Sequence, residues 1–191
     1  MNMKQEKVYI VLTDTRSILS QFIKLYTRKR YNHVSISFDA ELQDIYSFGR
    51  KKVGNPFKGG FIKENMREGL YQHADCIIYS LSVTKQQLQY LKNKIQVMKK
   101  QKEIYRYHIL GLFGFFINKP IYRKNAYFCS QFVATLLDTC NAIQFEKPLA
   151  LITPSDFEHF NQLQLLYEGD LQSYLQQYEE NQVSLSSYAV S

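Results

Sequence analysis

The apolar positions of the first fifty residues change their period, and the change predicts a strand, a helix and a second strand. The short apolar run at residues 8–12 is typical of a buried strand. Between residues 17 and 26, apolar positions recur at spacings that fit an amphipathic helix. Residues 33–38 alternate, with apolar side chains on one face and His33, Ser35 and Ser37 on the other, which predicts a strand.

A hairpin is expected directly after this second strand. Residues 39–41 are suited to its loop, and residues 44–48 to the returning strand. If the hairpin centres on Ala40, Ser47 lies opposite His33 and on the same face of the sheet. A slip of one residue would put an aromatic neighbour of Ser47 in that place instead.

The middle of the chain alternates between loop, strand and helix signals. Residues 49–60 contain glycines and a proline among basic residues, which predicts a loop. Residues 76–83 predict a strand, and Thr84 is suited to capping a helix over residues 85–102. The aromatic segment 105–117 is compatible with a helix followed by a loop, or with the apolar wall of a binding cleft.

Residues 129–140 have the clearest helical pattern, because their apolar positions lie on a single face. Cys129 is in the first turn of this helix, and its sulfur should therefore point toward the sheet on which the helix packs. We expect the helix to lie across the polar face of the strand of residues 33–38, which would bring the sulfur and the His33 imidazole together. Thr153 and Pro154 predict the start of a second short helix. The polar residues 181–191 are expected to form a flexible tail.

The length and composition favour a single globular domain. The chain has 191 residues, of which 45% are hydrophobic, and we expect one domain over residues 1–180 with a helical insertion at about 84–118. The longest apolar stretch, 109–117, is shorter than the roughly 20 residues that span a bilayer. Because residues 1–7 are polar and charged, no secretion signal is apparent, and we expect a cytoplasmic protein without a transmembrane segment.

The net charge of +7 indicates a basic surface. Such a surface could bind an anionic lipid, an acidic polymer or nucleic acid, or could simply be solvated. No glycine-rich RNA-binding signature accompanies it, so no specific nucleic-acid partner is expected. The basic residues occur in four short runs: Arg28-Lys29-Arg30, Arg50-Lys51-Lys52, Lys99-Lys100-Gln101-Lys102 and Arg123-Lys124.

The cysteines and histidines do not form a metal-binding pattern. Three widely spaced cysteines, Cys76, Cys129 and Cys140, argue against a disulfide framework and against a zinc site. The four histidines are scattered, so we expect neither a metal nor a cofactor.

Cys129 and His33 together suggest nucleophilic chemistry. The unpaired N–H groups and the dipole of a helix N-terminus favour a thiolate, and a thiolate beside an imidazole is the minimum equipment of a cysteine nucleophile. Taken alone, each residue is equally well explained as a packed cysteine on an apolar helix face or a hydrogen-bonded strand histidine. Cys76 and Cys140 lack this setting and are interpreted as structural.

Three motifs occur in an order that resembles a known family. They are Asn32-His33-Val34-Ser35-Ile36 after the first helix, Tyr127-Phe128-Cys129-Ser130-Gln131-Phe132-Val133 at the later helix, and Ile152-Thr153-Pro154-Ser155-Asp156-Phe157 beyond it. With the strand and helix of residues 8–26, they resemble the circularly permuted NlpC-type cysteine hydrolases, a branch of the papain-like fold. The resemblance covers roughly residues 8–50 and 120–160, with the histidine preceding the cysteine as in that branch.

The resemblance implies an α+β, papain-like fold in which the nucleophile helix packs on an antiparallel sheet. It implies that Cys129 is the nucleophile and His33 the general base, with a third polar residue orienting the imidazole. Ser47 is the candidate that matches in strand phase, and Asp44 and Glu64 are carboxylates that could replace it. The backbone N–H of Cys129 would stabilise the oxyanion.

The implied function is that of a cysteine peptidase or amidase, which acts on a peptide or amide through a thioester acyl-enzyme. One alternative is a lipid-directed thiol acyltransferase or acyl hydrolase resembling lecithin–retinol acyltransferase, which the aromatic segment 105–117 and the basic surface would suit. A second alternative is a non-catalytic basic binding module on the same scaffold.

Overall fold

The computed structural model describes residues 5–15, 29–50, 59–108, 111, 114 and 117–188. The helix predicted for residues 17–26 lies outside the described residues, as do the stretch 51–58 and six of the thirteen residues of the aromatic segment 105–117.

A six-stranded antiparallel sheet forms the centre of the described structure and confirms the expected α+β class. Its strands follow the order β4-β3-β2-β1-β5-β8. They are β1 (Glu6–Thr13), β2 (His33–Ser37), β3 (Ile45–Arg50), β4 (Gly59–Lys63), β5 (Asp75–Val83) and β8 (Leu163–Asp170). Two short strands, β6 (Arg106–Tyr107) and β7 (Ala126–Tyr127), pair in parallel beside it.

Three α-helices and three 3₁₀ helices are described. The α-helices are α1 (Lys85–Lys100), α2 (Cys129–Thr139) and α3 (Leu171–Tyr188), and the 3₁₀ helices span Gly69–Tyr71, Leu149–Leu151 and Pro154–His159. None of these helices is long and apolar enough to cross a membrane.

The first face of the sheet packs against α1 and α2. Alternation along the strands places Val34 and Ile36 on this face, where they join a buried cluster that includes Leu91 of α1 and Phe132 of α2. The ring of Phe132 lies 5.0 Å from that of Phe48 on β3, centroid to centroid. Burial of each such side chain contributes about 1.5–3 kcal/mol, and this packing fixes α2 against the sheet.

The second face packs against α3. Val11 and Ile78 contribute to a separate buried cluster with Leu171, Tyr174 and Leu175 of that helix. The sheet is therefore covered by helices on both faces, as each of its faces presents apolar side chains to a neighbour.

The predicted strands and helices mostly agree with the structure, but two strands of the six-stranded sheet and the short strands β6 and β7 were missed. β4 begins within the glycine-rich segment 49–60 that predicted a loop, and β8 occupies a stretch for which no strand was predicted. A Cβ on Gly59 would lie 2.6 Å from the Cβ of Tyr107, so this glycine allows β4 to pack closely against β6. Helix α3 runs through Tyr188 and includes most of the predicted flexible tail 181–191.

Candidate active site

His33 is the first residue of β2, and the residue before it fixes the start of this strand. The Asn32 side chain accepts hydrogen bonds from the N–H and the hydroxyl of Thr15 and donates one to Asp14. The backbone N–H of Asn32 donates to the carbonyl of Thr13 at 3.2 Å. The end of β1 and the start of β2 are thereby tied together, which limits the positions open to the His33 imidazole.

The Glu64 carboxylate holds the His33 ring. Nε2 of His33 lies 2.7 Å from Oε1 of Glu64, and the two side chains are 12% and 1% exposed. Glu64 immediately follows β4, and its N–H donates to the carbonyl of Ile45 at 3.0 Å, which extends the pairing of β4 with β3 by one residue.

Two hydroxyl groups complete the hydrogen bonding of this carboxylate. Tyr71 donates to Oε1 of Glu64 at 2.6 Å, and Ser35 donates to Oε2. With His33, three side chains therefore donate to one buried carboxylate. A buried charge is stable only when it is paired and hydrogen-bonded in this manner.

The electrostatic environment favours a protonated His33 and an ionised Glu64. Burial alone would lower the pKa of His33, but the Glu64 carboxylate and the Cys129 side chain outweigh burial and raise this pKa to about 10. Burial alone would raise the pKa of Glu64, but His33, Ser35 and Tyr71 together lower it below its ordinary value.

Cys129 acts on the same imidazole. The Cys129 side chain raises the pKa of His33 through its charge and through a hydrogen bond to the ring. Nε2 is bonded to Glu64, so Nδ1 is the ring nitrogen that has no bond to the carboxylate. His33 thus interacts with both Glu64 and Cys129, and Cys129 is only 3% exposed.

The route by which Cys129 reaches His33 differs from the one predicted. The sequence predicted that the helix lies across the polar face of β2, but α2 packs on the opposite face, where Val34 and Ile36 lie. Ser35 pairs with Val11, whose side chain belongs to the α3 side of the sheet. Since Cys129 and His33 are each the first residue of their element, they meet where α2 and β2 begin.

The first turn of α2 is anchored to the segment around Pro154. Ser130 donates from Oγ to the carbonyl of Ile152 at 2.6 Å. Asp156 accepts from the N–H of Thr153 at 2.6 Å and lies 2.6 Å from the Lys147 ammonium. The short helix predicted at Thr153 and Pro154 is present as a 3₁₀ helix, and it holds the start of α2 in place.

Ser47 does not contact the imidazole. The observed pairs Ile36↔Tyr46 and Ser37↔Ile45 move the hairpin centre by one residue from Ala40 and the partner of each residue by two, so Ser47 falls opposite Ser35. Ser47 is fully buried and donates from Oγ to the carbonyl of Val34 at 2.8 Å. The side chain that bonds to the imidazole is Glu64, one of the two carboxylates considered as substitutes, and not Ser47.

Asp44, the other substitute, is engaged elsewhere. Its carboxylate accepts a hydrogen bond from Tyr46 and lies 3.9 Å from the ammonium of Lys63.

Tyr71 was not singled out by the sequence, because it lies in a single 3₁₀ turn whose flanking residues show no periodic pattern of apolar positions. Ser35 was placed on the correct face, but its partner could be known only once Glu64 was located.

The remaining cysteines and histidines lie in different settings. Burial raises the pKa of Cys76 to about 12, and Cys140 is half-buried at the end of α2 with its thiol pKa also raised by burial. His108 is buried and donates from Nε2 to the carbonyl of Ile121 at 3.0 Å. Within the described ranges, no three His, Cys, Asp or Glu side chains are grouped so as to hold a metal ion.

Comparisons of the chain with known protein families, with curated proteins and with solved structures gave no match. The geometry around Cys129, His33 and Glu64 is therefore what bears on function.

Proposed function

We propose that this protein is a cysteine hydrolase in which Cys129 is the nucleophile and His33 is the general acid and base. Glu64 orients the His33 ring and stabilises its positive charge. One observation carries the proposal: a buried carboxylate holds Nε2 of an imidazole at 2.7 Å while the same imidazole interacts with a cysteine at a helix N-terminus. This is the arrangement of base, orienting group and thiol that activates a nucleophile.

Each member of the site has a defined part in the proposed reaction. In the proposed reaction the thiolate of Cys129 is the nucleophile and the imidazolium of His33 is the acid, and Glu64 stabilises the positive charge of the ring. The sulfur attacks the carbonyl carbon of an amide, a C–S bond forms, and the carbonyl oxygen becomes an oxyanion. The N–H of Cys129 has no acceptor within its own helix, so it is suited to binding that oxyanion.

Collapse of the intermediate returns the proton. His33 gives its proton to the leaving nitrogen as the C–N bond breaks, and a thioester on Cys129 remains. A water molecule then loses a proton to His33 and attacks the thioester, which releases a carboxylic acid and restores the thiolate. Glu64 does not change its protonation state, since its pKa stays below its ordinary value.

The α+β architecture is compatible with a permuted papain-like hydrolase. The histidine strand precedes the nucleophile helix, the helix packs on an antiparallel sheet, and the third residue follows a strand two positions along the sheet. We prefer a peptide or amide substrate, as the resemblance implies. An acyl-lipid substrate would use the same thioester chemistry.

Thiol labelling tests the proposal in a way that separates reactivity from exposure. Cys140 is half-buried, whereas Cys129 is only 3% exposed. Exposure alone therefore predicts that iodoacetamide modifies Cys140 first. The proposed thiolate predicts that Cys129 is modified first in the folded protein at pH 7, and that His33→Ala abolishes this preference.

The matched control is Cys140→Ala, which should leave the labelling rate of Cys129 unchanged. Modification sites are mapped by mass spectrometry of peptides at early times. Equal or slower labelling of Cys129 relative to Cys140, or unchanged labelling in His33→Ala, would refute a catalytic thiol and favour a binding module on this scaffold.

A further inference from the structure

Positive charge is concentrated in one stretch of the chain. Residues 85–124 contain ten lysines and arginines and a single acidic residue, Glu103, for a net charge of +9. The whole chain has only +7, because residues 125–191 contain one basic and eight acidic residues. Helix α1 alone has five lysines and no carboxylate.

Two segments at the end of this stretch are tied together by hydrogen bonds. The segments 99–106 and 117–124, called here the basic end, are joined through their neighbours. The N–H of Arg106 donates to the carbonyl of Asn125 at 2.9 Å, and His108 donates to the carbonyl of Ile121 at 3.0 Å. The basic end has seven cationic side chains and one carboxylate, that of Glu103.

Large apolar side chains are exposed among these cations. Ile104 is 49% exposed, Ile117 is 59% exposed and Tyr122 is 65% exposed. A single exposed apolar residue is ordinary. Two isoleucines and a tyrosine interspersed with lysines and arginines are the composition of surfaces that lie in a lipid headgroup region.

The acidic helix α3 lies on the other side of the sheet from α1. Helix α3, with Glu179 and Glu180 and no basic residue, packs on the second face of the sheet, whereas α1 packs on the first. A negatively charged plane that approached the basic end would therefore not meet α3. Among the described residues, this charge distribution favours an orientation with the basic end toward such a plane.

We propose that the basic end docks on an anionic lipid bilayer, with its lysines and arginines at the headgroup phosphates and Ile104, Ile117 and Tyr122 inserted at the interface. Nucleic acid would also attract the cations, but it would leave the two isoleucines in water, since single-stranded binding relies on aromatic stacking. The inference does not depend on the proposed function, because docking requires no chemistry at Cys129.

Vesicle co-sedimentation of the full chain tests the docking. The protein should pellet with vesicles of phosphatidylcholine that contain about 30% phosphatidylglycerol and remain in solution with phosphatidylcholine alone. Binding should weaken as salt rises above about 150 mM. Charge reversal in Arg123→Glu/Lys124→Glu should reduce the vesicle partition constant at least about 10-fold, since each basic residue near the surface supports binding.

A matched charge control is available at the far end of α1. Lys7→Glu/Lys85→Glu makes the same change in net charge, but Lys85 is about 22 Å from Lys100 along the helix. This control should bind within about twofold of the unchanged protein. If both double variants lose binding equally, net charge and not the basic end is responsible, and the docking surface is refuted.

The contribution of the exposed apolar side chains to vesicle binding is tested with its own control variant. The same experiments distinguish a lipid bilayer from nucleic acid as the partner. Ile104→Ser/Tyr122→Ser should weaken vesicle binding several-fold, whereas Leu165→Ser/Leu166→Ser, at exposed positions on the distant edge strand β8, should not. Fluorescence anisotropy measures the affinity of the protein for a labelled oligonucleotide. Tighter binding of the oligonucleotide than of the anionic vesicles would overturn the proposal, as would equal binding to neutral vesicles.

Discussion

Glu64 decides how the His33 ring is oriented and charged. Its two oxygens accept hydrogen bonds from His33, Tyr71 and Ser35, and its side chain is only 1% exposed. A carboxylate in this position favours the imidazolium and fixes which ring nitrogen is free. Replacing it by an amide removes the charge but keeps the size of the side chain.

The variant Glu64→Gln should therefore lower the labelling rate of Cys129 at pH 7 at least about 10-fold. Each unit by which the pKa of His33 falls lowers the ratio of protonated to neutral imidazole tenfold at a given pH. The rate is measured with iodoacetamide, and a thermal melt of the same sample establishes that the variant is folded.

Ser47→Ala is the matched control, since Ser47 is fully buried beside this site yet donates only to the carbonyl of Val34. Its loss should cost about 1 kcal/mol of stability and leave the labelling rate unchanged. Slower labelling in Ser47→Ala than in Glu64→Gln would reverse the assignment of the third residue.

At the residue scale the sequence singled out His33 and Cys129, which the structure brings together, and named Ser47 as the third residue, whereas Glu64 is the side chain that bonds to the imidazole. The choice of Ser47 followed from an assumed hairpin centre, and the observed register differs by two residues. Such a shift preserves the face on which every side chain lies, so the alternation of the strand could not reveal it. Glu64 follows β4, which begins at two adjacent glycines and has no alternating pattern of its own.

At the scale of elements, α1 and α2 are coupled through a single glutamine. Oε1 of Gln87 accepts from the N–H of Thr84 at 2.9 Å and completes the N-terminal capping box of α1. Nε2 of the same side chain donates to the carbonyls of Cys140 and Asn141 at 3.1 Å each. Gln87 thus satisfies backbone groups at the start of α1 and at the end of α2.

Gln87→Ala should lower the free energy of unfolding by about 2 kcal/mol, because it leaves a cap and two carbonyls without their partner. Urea denaturation measures the change. Gln89→Ala, in the same helix turn, removes only an exposed bond to Asn93 and should cost less than about 0.5 kcal/mol. Equal losses in the two variants would show that Gln87 does not couple the helices.

The helices and strands whose apolar residues recur at a regular spacing were predicted correctly, and those without such a pattern were not. Helix α2 follows from its apolar face, and α1 follows from its cap at Thr84 and its buried Leu91, Ile95 and Met98. Strand β8 alternates only weakly, because it is an edge strand whose side chains are largely exposed. Its position is set by pairing with β5, which a local pattern cannot report.

At the scale of the whole molecule, the site links stability to pH. The pKa of His33 is about 10 in the folded protein and 6.5 ordinarily, so protonation favours folding. This contribution is complete below pH 6.5 and is lost as the pH rises to about 10. Glu64 has a lowered pKa and an ordinary value of 4.5, so its contribution is present above pH 4.5 and is lost on further acidification.

The free energy of unfolding should accordingly decrease between pH 6.5 and 10, with a contribution from His33 of up to about 1.4 kcal/mol per pH unit. Urea denaturation at a series of pH values measures the slope. The variant His33→Gln retains a donor to Glu64 but does not titrate, so subtraction of its curve isolates the His33 contribution. Parallel curves for the two proteins would contradict the raised pKa of His33.

The separation of the site residues along the chain has a consequence for biosynthesis. His33 and Glu64 belong to strands that leave the ribosome early, whereas Cys129 follows after a further 64 residues have been added. The carboxylate and the imidazole can pair as soon as β2, β3 and β4 associate, but the thiol joins them only when α2 docks on the sheet. A nascent or misfolded chain would therefore expose an ordinary cysteine, and nucleophilic reactivity would be restricted to chains that have completed folding.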